Sequence, residues 1–208
     1  DKEQTHTSLK PCMTEEAAEL LAAIRIYDTT GNYENMREEL GDILLQVVMH
    51  SQIADEEGLF SIDEVITEVS EKMIRRHPHV FGDVKADTSE EVLSNWDDIK
   101  KKEKEKLSWV TSPLREIPIE LPALARATKI LKKQDKLYGD VPDCEETFST
   151  LKEVILEMES AFLESEAGKE KLEESFAKAL LLLSNIAMRN KIQAEQLLTD
   201  KIEEIIEK

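Results

Sequence analysis

Two cysteines, six prolines, six glycines and 5% aromatic residues are a sparse supply for 208 residues. Cys12 and Cys144 stand far apart, with no C-x-x-C and no neighbouring histidine. That excludes a zinc ribbon and a disulfide-built secreted scaffold, and both read as free thiols of a cytoplasmic protein. The shortage of Gly, Pro and aromatics argues against a many-stranded β fold. No purely apolar run is longer than five residues, as in Ala179–Leu183, far short of the ~20 that a membrane span needs. Basic residues are the minority, 27 against 45 acidic ones, for a net charge of −18. A broad basic surface for nucleic acid is thereby excluded, though a local cationic pocket is not. No signal peptide or Arg-rich transit segment opens the sequence, and its start at Asp1 rather than Met reads as a trimmed or processed form.

What is present is Glu, Lys, Leu, Ala and Ile, a composition that suits helices. Apolar residues at Met13, Ala17, Leu20, Leu21 and Ile24 predict a helix over Met13 to Tyr27, ended by a turn at Thr29-Thr30-Gly31-Asn32. A second helix, from about Glu34 to Glu57, carries Met36, Leu40, Ile43, Leu44, Val47 and Val48 on one face and ends at Gly58. Ser61-Ile62-Asp63-Glu64 is a capping box for a third helix, stopped near Arg76 by His77-Pro78. Thr88-Ser89-Glu90-Glu91 predicts a fourth, through about Lys106. Pro113, Pro118 and Pro122 then cluster, which places a linker over 107–122. Beyond it, helices are expected over Ala123–Leu137, Glu145–Glu166, Lys169–Asn190 and Ala194–Glu207, an all-α chain.

The acids carry the first chemical signal. Glu15, Glu16 and Glu19 lie on the first helix, Glu39 and Asp42 on the second. At about 100° per residue, Glu19 lies about 60° to one side of Glu16, and the apolar residues lie on the other side. Glu39, Asp42 and their apolar stripe repeat that phase. If the two helices pack antiparallel through their stripes, four carboxylates meet along one seam, with Gly41 leaving room for close approach. Such a group repels itself unless it holds a cation. Oxygen-only ligands favour Mg²⁺, with Mn²⁺ as the alternative. Ordinary rim charge on amphipathic helices would explain either pair taken alone.

Cations and an aromatic shift that balance. Lys72 and Arg76 are i,i+4 neighbours at the end of the third helix, and Trp96 and Lys100 share the same spacing on the fourth. Carboxylates for a metal, cations for phosphates and an indole for a base are the parts of a nucleoside triphosphate site. Read singly, Trp96 fits a core position and the cations fit helix-end charges that complement the dipole. The four histidines suggest no catalytic part: His77 and His79 flank Pro78, and His6 and His50 are isolated in sequence.

Asp1-Lys2-Glu3-Gln4-Thr5-His6, the E-E-x-x-E at Glu15–Glu19, the E-L-G-D at Glu39–Asp42, R-R-H-P-H-V-F at Arg75–Phe81 and W-D-D-I-K at Trp96–Lys100 together closely resemble the MazG family. The resemblance covers residues 1 to about 106. It implies an all-α nucleoside triphosphate pyrophosphohydrolase that converts NTP or dNTP to the monophosphate and pyrophosphate with Mg²⁺, in nucleotide-pool house-cleaning. Glu16, Glu19, Glu39 and Asp42 would be metal ligands and Glu15 a neighbouring acid that assists water. Lys72 and Arg76 would hold phosphates, and Trp96 and Lys100 would contact the nucleotide. The resemblance also implies helical bundles completed by a homodimer or higher homo-oligomer. Family members usually carry a helix and a C-P-W tripeptide before D-K-E-Q-T.

Two-domain relatives repeat the module, and 123–208 reads as such a repeat with its metal site lost. Val154 stands for the second glutamate of E-E-x-x-E while Glu157 keeps the third. Ser175 and Lys178 replace the E-x-x-D pair, and Lys178 would set an ammonium where a cation should bind. Lys201 matches the first phosphate cation, but Ile205 replaces the arginine four residues on. The expected organisation is thus a catalytic module over 1–106, the Pro-rich linker over 107–122 and a degenerate helical module over 123–208. The competing reading is a catalytically weak nucleotide sensor of the same fold.

Overall fold

The computed structural model describes residues 3–82, 88, 96, 99, 103, 112–164 and 168–206, and among them no strand occurs. The chain divides into two compact units, Asp1–Lys106 and Leu107–Lys208.

The first unit is built on a helical hairpin of α1 (Lys10–Thr30) and α2 (Glu34–Glu56), followed by α3 (Ile62–Arg76) and the single turn α4 (Pro78–Phe81). α1 extends beyond the apolar pattern at both ends. Pro11 sits in its first turn, where the missing N–H has no partner to lose. Gly31 closes the helix with φ 73°, a left-handed conformation that costs a glycine nothing, and its N–H donates to the Tyr27 carbonyl at 2.8 Å. The Asn32 side chain then accepts from the Glu34 N–H at 2.9 Å and opens α2. The capping box of α3 is present in full, Ser61 and Glu64 each satisfying the other's backbone N–H. His77 ends α3 as expected, but Pro78 starts another helical turn instead of a loop. The expected helix from Thr88 to Lys106 falls largely outside the described residues; within it Trp96, Ile99 and Glu103 have helical backbone.

α1 and α2 run antiparallel, and their apolar stripes are only partly covered: Met13, Leu20, Met36, Ile43 and Val47 are half-buried. The buried residues of the hairpin are Ala23, Glu39, Gln46, Ser51 and Ala54, whereas Leu40, Leu44, Leu45 and Val48 are exposed, Leu44 to 61%. Polar side chains thus share the inside with part of the apolar stripe, and the rest of the stripe looks out. Gly41 is also not a point of close approach, since a side chain there would meet nothing within 4 Å.

The second unit contains α5 (Ala123–Tyr138), α6 (Cys144–Leu163), α7 (Lys169–Arg189) and α8 (Ala194–Ile206). A 3₁₀ turn, Pro113–Glu116, precedes them, and Glu116 pairs with Lys133 of α5 at 2.6 Å. α6 and α7 enclose Leu151, Val154 and Ala179, with Met158, Leu182 and Ile186 packed on them. Polar ties fix the ends. Asn185 donates to the Thr147 hydroxyl and the Pro142 carbonyl, and Arg189 holds Asp135 through two bonds of 2.8 Å. Cys12 and Cys144 are free thiols.

Candidate active site

The antiparallel register of the hairpin can be followed residue by residue. Glu19 faces Glu39, Glu16 faces Asp42, and further along His6 meets His50. Glu16, Glu39 and Asp42 offer carboxylate oxygens that all lie within 4.8 Å of one another. Glu39 is the deepest of them, 9% exposed, and Glu16 and Asp42 are half-buried. Glu15 and Glu19 are exposed beside the group, and the charge of each reaches Glu16. Glu19 thus borders the closest triad without joining it.

Burial raises the pKa of Glu16, and the charges of Asp42, Glu19, Glu39 and Glu15 add to the rise. Burial also raises that of Glu39, reinforced by Glu19, Asp42 and Glu38 and opposed by a hydrogen bond from Asn35. Like charges held together in a partly dry seam favour the protonated form unless a cation joins them. A further oxygen lies on the same helix face. Gln46, four residues after Asp42 and 7% exposed, has a buried Oε1 with no hydrogen-bond partner among the described residues. An all-oxygen donor set with an orphaned amide oxygen beside it fits a hard divalent cation better than a soft one.

The cations gather at the C-terminal end of α3. Arg76 and Trp96 come together, the guanidinium 5.8 Å from the indole centroid, and His77 meets the same ring edge-on at 4.9 Å. Lys72, one turn before Arg76, is half-buried and makes no ion pair among the described residues. Lys100 lies outside the described residues. Two contacts here have no signature in the sequence. Glu103 binds both Arg75 and Arg76. His6 and His50, isolated in sequence, share an Nδ1–Nδ1 contact of 2.8 Å with nearly coplanar rings. Their centroid separation of 5.1 Å equals that contact plus one ring radius at each end, so the rings meet head-on through their Nδ1 atoms instead of stacking.

Residues 4–81, which include the carboxylate triad, Lys72 and Arg76, match the MazG nucleotide pyrophosphohydrolase domain. The nucleoside triphosphate pyrophosphohydrolase/pyrophosphatase MazG of Thermotoga maritima is 38% identical over the whole of this chain and 80% of its own length. The chain belongs to the MazG family. A nucleoside triphosphate pyrophosphohydrolase of Escherichia coli K12 is also 38% identical, over 94% of the chain and 72% of that protein. The protein YabN of Bacillus subtilis is 54% identical over 132 residues, 64% of this chain; that stretch spans only 26% of YabN.

The second unit differs at the residues the sequence aligns with the acids of the first. Val154 is sealed in its core at 0% exposure. Glu157, Ser175 and Lys178 line a cavity of about 380 Å³ together with Glu164, Lys171 and Glu174. No group of metal-ligating side chains comes together there among the described residues.

Proposed function

We propose that this chain is a Mg²⁺-dependent nucleoside triphosphate pyrophosphohydrolase that converts NTP or dNTP to the monophosphate and pyrophosphate, with Mn²⁺ able to substitute. The convergence of Glu16, Glu39 and Asp42 from two antiparallel helices carries this reading. With Glu19 alongside, these residues would hold the cation, which when bound neutralises triphosphate charge and lowers the pKa of water. Every other role falls to side chains. Lys72 and Arg76 bind the phosphates as charge-assisted donors. Trp96 and Lys100 contact the nucleoside. Glu15, exposed at the mouth of the seam, accepts the proton of the attacking water. Removal of unwanted triphosphates from the nucleotide pool is the role such chemistry serves.

The second unit has no metal-dependent reaction of its own, because Lys178 and the buried Val154 leave no acidic cage, and its role is dimerisation, support or regulation. The exposed apolar face of α1 and α2 supports a homodimer, since Leu40, Leu44 and Val48 have no full cover among the described residues.

Pyrophosphate release from a panel of ordinary and modified NTPs and dNTPs, with Mg²⁺, Mn²⁺ and EDTA arms, tests the assignment. Metal-dependent release of monophosphate plus pyrophosphate is the expected result. Nucleotide binding without release would instead assign the chain as a sensor.

A further inference from the structure

Arg76 is held by the chain's own side chains. Its Nε and Nη2 donate to one oxygen of Glu103, at 3.0 and 2.5 Å, and the other oxygen of Glu103 accepts from Arg75 Nε at 2.7 Å. The Arg76 and Glu103 side chains are 17% and 22% exposed, so the pair is partly dry. The indole of Trp96 flanks the same guanidinium. Glu103 draws its acidity from these contacts, chiefly the hydrogen bond from Arg76, and it is ionised well below neutrality.

Two readings of this contact make opposite forecasts. Glu103 could occupy Arg76 as a stand-in for phosphate, to be expelled when substrate binds. The bonding pattern disfavours that. A guanidinium has five N–H groups, and Glu103 takes them from the side, through Nε and one hydrogen of Nη2. Among the described residues nothing takes the end-on fork, the hydrogens of Nη1 and the outer hydrogen of Nη2, and that edge suits two oxygens of one phosphate. One carboxylate also serves two arginines, so among the described residues this pairing leaves an excess of positive charge.

We infer that Glu103 is a positioning residue for phosphate binding: it holds the side-on edge of Arg76 against Trp96 and so presents the end-on fork to the substrate triphosphate. The inference rests on the reading above that Arg76 binds phosphate. Fixing a long side chain in advance removes an ordering cost from the binding step. Glu103 therefore acts through Arg76 and touches no substrate.

The test is a double-mutant cycle in the full chain, with KM and kcat measured for Arg76→Ala, Glu103→Ala, Glu103→Gln and Arg76→Ala with Glu103→Ala, helicity being checked by circular dichroism. Glu103→Ala is expected to raise KM about tenfold, the scale of one charge-assisted hydrogen bond, and to change kcat less. Glu103→Gln, which keeps an acceptor without the charge, should fall between the two and serves if the alanine variant folds poorly. The double variant should be no worse than Arg76→Ala alone, because a residue that acts through another has nothing left to position. A lower KM in Glu103→Ala would make Glu103 a competitor of substrate and overturn the inference. An unchanged KM, or additive losses in the double variant, would overturn it too. An unchanged KM in Arg76→Ala would remove the phosphate role of Arg76, a separate failure, and the inference with it.

Discussion

At the scale of single residues, the seam between α1 and α2 sets stability against function. Glu39 is buried among carboxylates and its proton affinity is raised, first by burial and then by Glu19 and Asp42. Glu39→Gln removes a repelled charge and keeps the shape. The metal-free variant should melt at a higher temperature than the wild type, and Mg²⁺ should no longer raise its melting temperature. Its Mg²⁺-dependent turnover should fall to background, which scanning calorimetry and pyrophosphate release would read together. A wild-type rate in this variant would take Glu39 out of the metal site. Glu103 has the opposite sign. Arg76 lowers its pKa against the opposing effect of burial, with Arg75 assisting. The ion pair therefore contributes stability that is present in full above the unfolded-state pKa and is lost as pH falls through the lower, folded one. The melting-temperature gap between wild type and Glu103→Gln should be widest near neutrality and close in acid. A gap that stayed constant with pH would show that charge is not what the pair contributes.

At the scale of elements, the local chemistry that starts and stops helices was legible in the sequence. The capping box of Ser61 and Glu64, the left-handed Gly31 and the stop at His77 stand where the residue types require them. α3 matters because its last turns carry Lys72 and Arg76. Ser61→Ala removes the side-chain acceptor for the Glu64 N–H and should cost about 1 kcal/mol by the usual worth of an N-cap, measured by urea unfolding. An unchanged midpoint would mean that α3 is held by its packing on α2 alone. Less legible was which face each helix buries. Apolar periodicity marks the stripe but says nothing of what covers it, and here Met36, Ile43 and Val47 are half-buried while Leu40, Leu44 and Val48 are exposed. The carboxylate phase was readable because it depends on one helix at a time. The contacts of Glu103 with Arg76, 27 residues apart, and of His6 with His50, 44 apart, follow from tertiary packing and leave no spacing to read. Gln46 was invisible for another reason: a glutamine on a helix gains meaning only once its amide oxygen is found buried without a donor.

At the scale of the whole molecule, the exposed apolar face of the hairpin asks for a second copy. Leu21 and Leu44 are exposed to 68% and 61% on the two helices that carry the acids, and Leu40, Leu45 and Val48 extend the patch along α2. An acidic chain of net charge −18 does not gather such residues on one side of a helix at no cost. In a two-fold dimer each interface residue appears twice. Burying one leucine is worth about 1.5–3 kcal/mol, so Leu44→Glu should weaken association by about 3–6 kcal/mol, a factor of roughly 10²–10⁴. Sedimentation equilibrium should then show a dimer for the wild type and a monomer for the variant at the same concentration. Arg76→Ala, on α3 and paired with Glu103, should remain dimeric. If the hairpin's cover also braces the acidic seam, the Leu44→Glu monomer should need more Mg²⁺ for half-maximal rate, and its activity should recover as protein concentration is raised. A wild-type monomer with full activity would show instead that the apolar face is covered within the chain, and that the hairpin needs no partner to hold its carboxylates together.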